Sequence, residues 1–189
     1  NYQAGDVKSQ IASVIRHLPN YYQYQTLGEY NALLSLFNIT TEKIEGELQG
    51  KMQQGLLYIP LNEKGERVGH PFKASLFGKS AGLPALELHF VKCKIALKDT
   101  PTKQTLKSAI TIALHTTSDE QAFKKQLRKQ GINVVVRRND TGRIYGITFI
   151  DHNSKVVWNG SRLGKELSAN IFNDYWNNNI KPEIKELTI

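Results

Sequence analysis

The sequence predicts an α+β fold built as two similar units in tandem, each running helix, helix, three-stranded antiparallel meander, helix. Three observations carry that prediction. Apolar spacing changes from a helical period to an alternating one and back, twice along the chain. Four short anchors recur in the same order in both halves. Residues 98–105, Lys-Asp-Thr-Pro-Thr-Lys-Gln-Thr, read as a linker, so the units are expected at 1–99 and 100–189. The composition agrees with a folded chain: of 189 residues, 40% are apolar, 22% charged and 9% aromatic.

In the first unit, Asp6 is expected to cap a helix with Val7, Ile11, Val14, Ile15 and Leu18 on one face, ended by Pro19. Tyr21, Tyr22 and Tyr24 follow in what reads as a polar, mobile aromatic loop. Thr26 and Glu29 have capping-box spacing ahead of a stripe of Leu27, Tyr30, Leu33, Leu34 and Phe37. Ile44, Gly46 and Leu48 then alternate with charged residues, which predicts a strand. A turn at Gly50 leads to a second strand, Leu56–Ile59, and Asn62–Gly65 to a third near Arg67–Val68. Pro84 opens the last helix, through Leu86, Phe90 and Ile95.

The second unit repeats the pattern. Leu106, Ile110, Ala113 and Leu114 mark a helix. Ser118 with Gln121 is expected to cap the next, which carries Phe123 and Leu127 and stops at Gly131. Ile132, Val134 and Val136 form a strand, and Asn139–Gly142 is a hairpin turn. Ile144–Ile150 returns, Asp151–Ser154 turns again, and Val156–Trp158 is a third short strand. Ser168 caps a helix with Ile171, Phe172, Tyr175 and Trp176.

The anchors align at shrinking offsets. Val7–Ser9 matches Leu106–Ser108, Asn38-Ile39 matches Gly131-Ile132, Gly55–Ile59 matches Gly146–Ile150, and Ser75–Lys79 matches Ser161–Lys165. Each shortening falls in an expected loop, where insertions are tolerated.

Charge is concentrated in the second half. Lys and Arg number 25 against 17 Asp and Glu, a net charge of +8. One stretch holds Lys124, Lys125, Arg128, Lys129, Arg137, Arg138, Arg143, Lys155, Arg162 and Lys165 against only Asp140 and Asp151. Its excess equals that of the whole chain. A local basic field of this kind attracts polyanions, of which nucleic acid is the commonest; a solvated surface that keeps the chain soluble is the other reading.

Other chemistry is missing from the sequence. The five histidines, His17, His70, His89, His115 and His152, have no metal-ligand spacing, so no metal and no cofactor is expected in this chain. Asp151-His152 sits in an expected turn, where Asp serves turn geometry. Gly78-Lys79-Ser80 fails as a phosphate loop, because Lys73 stands where the first glycine is needed. Cys93, the single cysteine, is expected to pack in a helix; its isolation fits a reducing cytoplasm. No leader or membrane-length apolar run is visible, and a chain that opens on Asn1 reads as a fragment. What recurs instead is Ser-x-x-Gly-Lys, at Ser75, Gly78 and Lys79 and at Ser161, Gly164 and Lys165. Glycine there permits positive φ, and a serine hydroxyl and lysine beside free N–H groups suit a phosphate; an ordinary strand-to-helix connection is the other reading.

Tyr145–His152, Trp158–Ser161 and Leu163–Lys165, with Gly5–Gln10, Glu29–Leu34 and Phe172–Asp174, resemble the region downstream of the nuclease module in relaxases. Those are the mobilisation nucleases of bacterial conjugative and mobilisable elements. The resemblance covers nearly the whole chain. The wider relaxase pattern follows a hairpin with Leu-Gly-x-x-Tyr-Ser/Thr; Leu163, Gly164 and Ser168 match it, whereas Leu167 replaces the aromatic. In the first copy Ala81 and Gly82 stand at the Tyr and Ser/Thr positions. The family's nuclease works through a histidine-held metal and a tyrosine nucleophile, and no residue here matches that histidine cluster. The resemblance therefore implies a non-nuclease, accessory DNA-binding region of a bacterial cytoplasmic relaxase, acting on transfer-origin DNA. The alternative is a module docking transfer-complex or coupling proteins through aromatics around Trp158, Phe172, Tyr175 and Trp176.

Overall fold

The computed structural model describes residues 4–183. The chain divides into two units, Asn1–Ala96 and Leu97–Ile189. The boundary falls three residues before the expected one, because the Leu97 side chain packs in the second unit's core. The expected linker also shortens: residues 102–105 form the first turn of a helix.

In the first unit, helix α1 (Ala4–Tyr21) buries Ile11, Ile15 and Leu18. Asp6 lies inside its first turn rather than at the cap. Pro19 does not end it. So near the C-terminus the ring removes only one intrahelical bond, and Tyr22 N still donates to Leu18 O at 2.8 Å. Helix α2 (Leu27–Ser35) is capped as expected: Glu29 N donates to Thr26 Oγ1 at 3.0 Å, and Gln25 N donates to Glu29 Oε1 at 2.8 Å. Phe37 falls beyond the helix end, half exposed.

Strands β1 (Ile39–Leu48) and β2 (Lys51–Pro60) form a long hairpin closed by Gln49 and Gly50, both at positive φ. Its outer half is solvated: Leu48 and Met52 are exposed, and burial is confined to Ile39, Thr41, Leu56, Tyr58 and Ile59. The alternation at Ile44, Gly46 and Leu48 therefore marks a strand without a buried face at its tip. Arg67 makes only an isolated bridge to Leu61. The third strand is β3 (Phe72–Lys73), paired to Leu57 and Tyr58. Two 3-10 turns, Ala74–Phe77 and Lys79–Ala81, lead into α3 (Leu83–Leu97). There Leu83, Leu86, Cys93 and Leu97 are buried, whereas Ile95, on the opposite side of the helix from Cys93, is 72% exposed.

Tyr24 is fully buried, not part of a mobile loop. Its ring stacks on Tyr30 at 4.9 Å. Tyr30 and Tyr58 share a hydroxyl hydrogen bond of 3.0 Å, and the Tyr58 hydroxyl donates to Ala81 O at 2.7 Å.

The second unit comprises α4 (Thr102–Thr116), α5 (Glu120–Lys129), β4 (Ile132–Arg138), β5 (Ile144–Asp151), β6 (Val156–Asn159), the single-turn α6 (Gly160–Leu163) and α7 (Ala169–Asn178). A 3-10 turn, Lys165–Leu167, joins the last two. Leu106, Ile110, Ala113 and Leu114 are the buried face of α4, as their spacing predicts. The cap of α5 is Asp119, one residue after Ser118, with Ala122 N donating to its carboxylate at 2.8 Å. Phe123, Phe149, Phe172 and Trp176 make a cluster of ring contacts at 5.0–6.2 Å.

Each unit has one antiparallel sheet in simple meander order, β1-β2-β3 and β4-β5-β6. The two sheets share their pairing under the sequence offsets up to Arg137, beyond which β4 and β5 shift register. Ile39 pairs with Pro60 where Ile132 pairs with Asp151; Ile44 with Gly55 where Arg137 with Gly146; Tyr58 with Phe72 where Phe149 with Trp158. The helix caps Thr26 and Asp119 obey the same spacing as the first of these pairs. The repeat is thus a property of backbone pairing, not only of composition.

Candidate nucleic-acid interface

Helix α5 turns Phe123 and Leu127 into the core. At 3.6 residues per turn, Lys125 and Lys129 then lie roughly opposite that face, with Arg128 beside them. All three are exposed. Among the described residues no carboxylate lies within ion-pair distance of any of them.

The rest of the basic set is divided. Lys124 and Arg138 both bind the Glu120 carboxylate, Lys124 at 2.9 Å, which joins the turn end of the hairpin to α5. Burial pushes the Glu120 carboxyl up, but hydrogen bonds from Arg138 and Lys124 outweigh it and hold it below the usual range. At the hairpin turn, Asn139 Oδ1 accepts from Thr141 N and Arg143 N, the local geometry its sequence predicts. Arg143 donates to Asn170 Oδ1 at 2.8 Å, tying the hairpin to α7. Arg162 lies over the Trp158 ring at 5.0 Å, and Lys103 over the same ring at 5.2 Å. Lys155, exposed at φ 58°, closes the β5–β6 turn. The ten residues differ in how they are engaged: three on α5 have no carboxylate within ion-pair distance, two are tied to Glu120, and the others belong to the hairpin, the β5–β6 turn and the α6 region.

Arg137 is half-buried. By register it lies on the sheet face opposite the Phe149 and Trp158 side chains, beside Thr148 and Asn159. Its Nη2 donates to Thr148 Oγ1 at 3.2 Å and Asn159 Oδ1 at 3.4 Å, and Thr148 Oγ1 donates to Asn159 Oδ1 at 2.6 Å. The guanidinium lies flat on Gly146; a Cβ there would meet Nε at 2.5 Å. Beside it opens a depression of about 380 Å3 lined by Arg137, Tyr145, Asn159, Ser161, Ser168 and Asn170. Of this group Arg137, Ser161 and Ser168 are singled out by charge, motif or cap position and Tyr145 and Asn159 only within longer stretches, whereas Asn170 carries no such signal; β4, β5, β6 and α7 bring them together.

The Ser-x-x-Gly-Lys motif does not act as one cradle in the second unit. Ser161 lines that depression, whereas Lys165 lines another, of about 460 Å3, which includes Lys107, Glu166 and Asp174. Lys107 and Glu166 pair there at 2.7 Å. Gly78 has the expected positive φ of 90°, but Gly164 is extended at 169° and needs no glycine for its conformation. In the first unit Ser75, Gly78 and Lys79 do share one depression.

Asp151 accepts from Asn153 N and Ser154 Oγ, so it serves the turn. The His152 ring bonds Asn133, and burial holds it below its usual pKa. A pair the sequence did not reveal is Cys93 and His89, one helical turn apart at 3.3 Å. Burial pushes the thiol up and the imidazole down, so the pair stays neutral rather than forming a thiolate nucleophile. Trp158 and Phe172 are buried, and Tyr175 and Trp176 pack against the core, so these aromatics are not exposed anchors. Among the described residues there is no group of side chains arranged to hold a metal, and no helix is long and apolar enough to cross a membrane. Comparison with protein-family models, curated proteins and solved structures finds no match.

Proposed function

We propose that this chain is an accessory DNA-binding region, of the kind its resemblance to relaxases implies, that holds transfer-origin DNA for a nicking module elsewhere. The observation that carries the reading is the outward face of α5, where Lys125, Arg128 and Lys129 stand without a carboxylate partner. They belong to a unit with fifteen basic and nine acidic residues over 97–189. Three cations in two helical turns track a phosphate backbone without reading bases, which suits a region that adds affinity rather than sequence choice. Arg143 on the hairpin adds a fourth exposed cation.

The test is a titration of duplex binding against salt. About five phosphate contacts give a slope of log affinity on log salt near −4 to −5. Reversing Lys125, Arg128 and Lys129 to Glu should abolish most of that slope. Absence of binding at low salt in the unaltered chain removes the proposal.

A protein-docking role is favoured by a different observation. Leu88, Val91 and Ile95 form an exposed stripe on α3, at 57%, 55% and 72%. Retention of a transfer-complex protein after nuclease treatment, lost on Val91→Glu, would select that reading.

A further inference from the structure

The two units carry a depression at the same place in the repeat. In the first it is lined by Ile44, Gln54, Gly55, Lys73, Ser75 and Gly82, among others. Under the offsets fixed by strand register these are the positions of Arg137, Tyr145, Gly146, Asn159, Ser161 and Ser168, which line the depression of the second unit. The fold therefore builds this hollow twice, between the middle strand, the end of the third strand and the start of the last helix. Its chemistry differs. Where the first unit has Ile44, Gln54 and Gly82, the second has a guanidinium, an aromatic ring and the Ser168 hydroxyl, while the Ser161 hydroxyl matches that of Ser75.

We infer that the hollow of the second unit receives one nucleotide of a single DNA strand, its phosphate on Arg137, Ser161 and Ser168 and its base on Tyr145. The inference rests on the DNA-binding reading and deepens it from backbone tracking to strand type. Several features fit that ligand. Arg137 is held by Thr148 and Asn159, so its planar fork is oriented before a phosphate arrives. Gly146 leaves room for the guanidinium to lie flat, which no larger residue permits without moving it. Ser168 precedes α7 but makes no side-chain bond to that helix, so its hydroxyl is not consumed by capping. Tyr145 sits at the strand irregularity between Arg137 and Arg138 and is 62% exposed, unlike every other aromatic of this unit's strands. A volume of about 380 Å3 lies in the range of small-ligand sites and holds one nucleotide, not a duplex. A base reaches the Tyr145 face only when it is unstacked from its neighbours, which single strands allow.

The experiment is fluorescence anisotropy on the full chain with a labelled oligothymidylate, a duplex of the same length, and thymidine monophosphate as competitor. Tyr145→Ala should weaken the single strand about five- to a hundredfold, the range for loss of one base stack, and leave the duplex unchanged. Arg137→Gln should act in the same direction. Should that variant fail to fold in a thermal melt, Tyr145→Ala still decides, because an exposed ring is dispensable to the core. Single-strand affinity unchanged in Tyr145→Ala overturns the inference while the duplex arm leaves the DNA-binding reading standing. No binding to either DNA removes both. Competition by micromolar monophosphate with no preference for the oligonucleotide assigns the hollow to a free nucleotide and overturns the strand assignment. Lack of competition, with oligonucleotide binding sensitive to Tyr145, supports it.

Discussion

Gly160 should be irreplaceable even though its backbone conformation is not one that demands glycine. A Cβ built there would stand 2.0 Å from the carbonyl oxygen of Leu167, 2.9 Å from Ile147 Cγ2 and 3.2 Å from the Leu167 carbonyl carbon. Backbone cannot rotate away as a flexible side-chain end can. Relief needs roughly 1 Å of movement in the Lys165–Leu167 turn, a strain in the upper part of the 1–3 kcal/mol range for overpacking. That turn is not free to move, because Leu167 is fully buried in the core of this unit. Taking about 3 kcal/mol for Gly160→Ala, and about 4–8 °C per kcal/mol in a unit of this size, the second unit should melt about 12–24 °C lower. Gly46→Ala is the control: a Cβ there meets nothing within 4 Å, so its effect should stay within about 0.5 kcal/mol. Thermal unfolding followed by circular dichroism and calorimetry reads both. A Gly160→Ala protein that melts with the unaltered one refutes the packing argument. It would also remove the reason for the fixed placement of Asn159 and Ser161 beside Arg137.

Three further outcomes follow from named contacts. Glu120→Gln removes the carboxylate that occupies Lys124 and Arg138; duplex affinity should rise several-fold at low salt and the salt slope should steepen by about one or two, as two phosphate contacts are gained. Asn173 is buried and its Oδ1 accepts from Ile144 N at 3.0 Å and from Asn177 Nδ2 at 2.8 Å, so Asn173→Ala should cost about 1–3 kcal/mol in denaturant titration, with Asn177→Ala far milder. Burial pushes the Tyr58 phenol up to about 12, and burial with the neighbouring Tyr58 raises Tyr24 and Tyr30 well above the usual value. The neutral phenols are thus favoured by folding; that stability is present below about pH 10, the unfolded value, and is lost as pH rises through 12. Phenolate absorbance should therefore show these three tyrosines missing from the titration near pH 10 and appearing together with unfolding; their ionising with the exposed tyrosines would contradict the buried cluster.

Much of the fold was legible because it depends on short-range spacing. The buried faces of α4 and α5, the hairpin at Asn139–Gly142 and the capping box at Thr26 all follow from residue types a few positions apart. The repeat was legible too, and the offset aligning Asn38 with Gly131 carries the Thr26 cap onto Asp119, where the structure has it, rather than onto Ser118. Boundaries were less legible. Pro19 sits inside α1, and the third strand of the first unit lies at Phe72–Lys73 rather than near Arg67, because helix fraying and strand pairing answer to tertiary partners.

The sequence by itself determined the α+β class, the two units, the buried faces of α4 and α5 and the sign and location of the excess charge. Only the tertiary structure decided which charges stand clear and which are already engaged. Periodicity places Lys124 and Lys125 side by side on one helix, yet one is tied to Glu120 and the other is not. Likewise nothing local joins Arg137, Tyr145, Ser161 and Ser168. They meet because antiparallel pairing sets residues 137 and 146 opposite each other, and because the close fit of Gly160 under Leu167 folds the third strand's end against the last helix. Coulombic partners and cavity walls are long-range contacts, and a one-dimensional pattern does not encode which of them form.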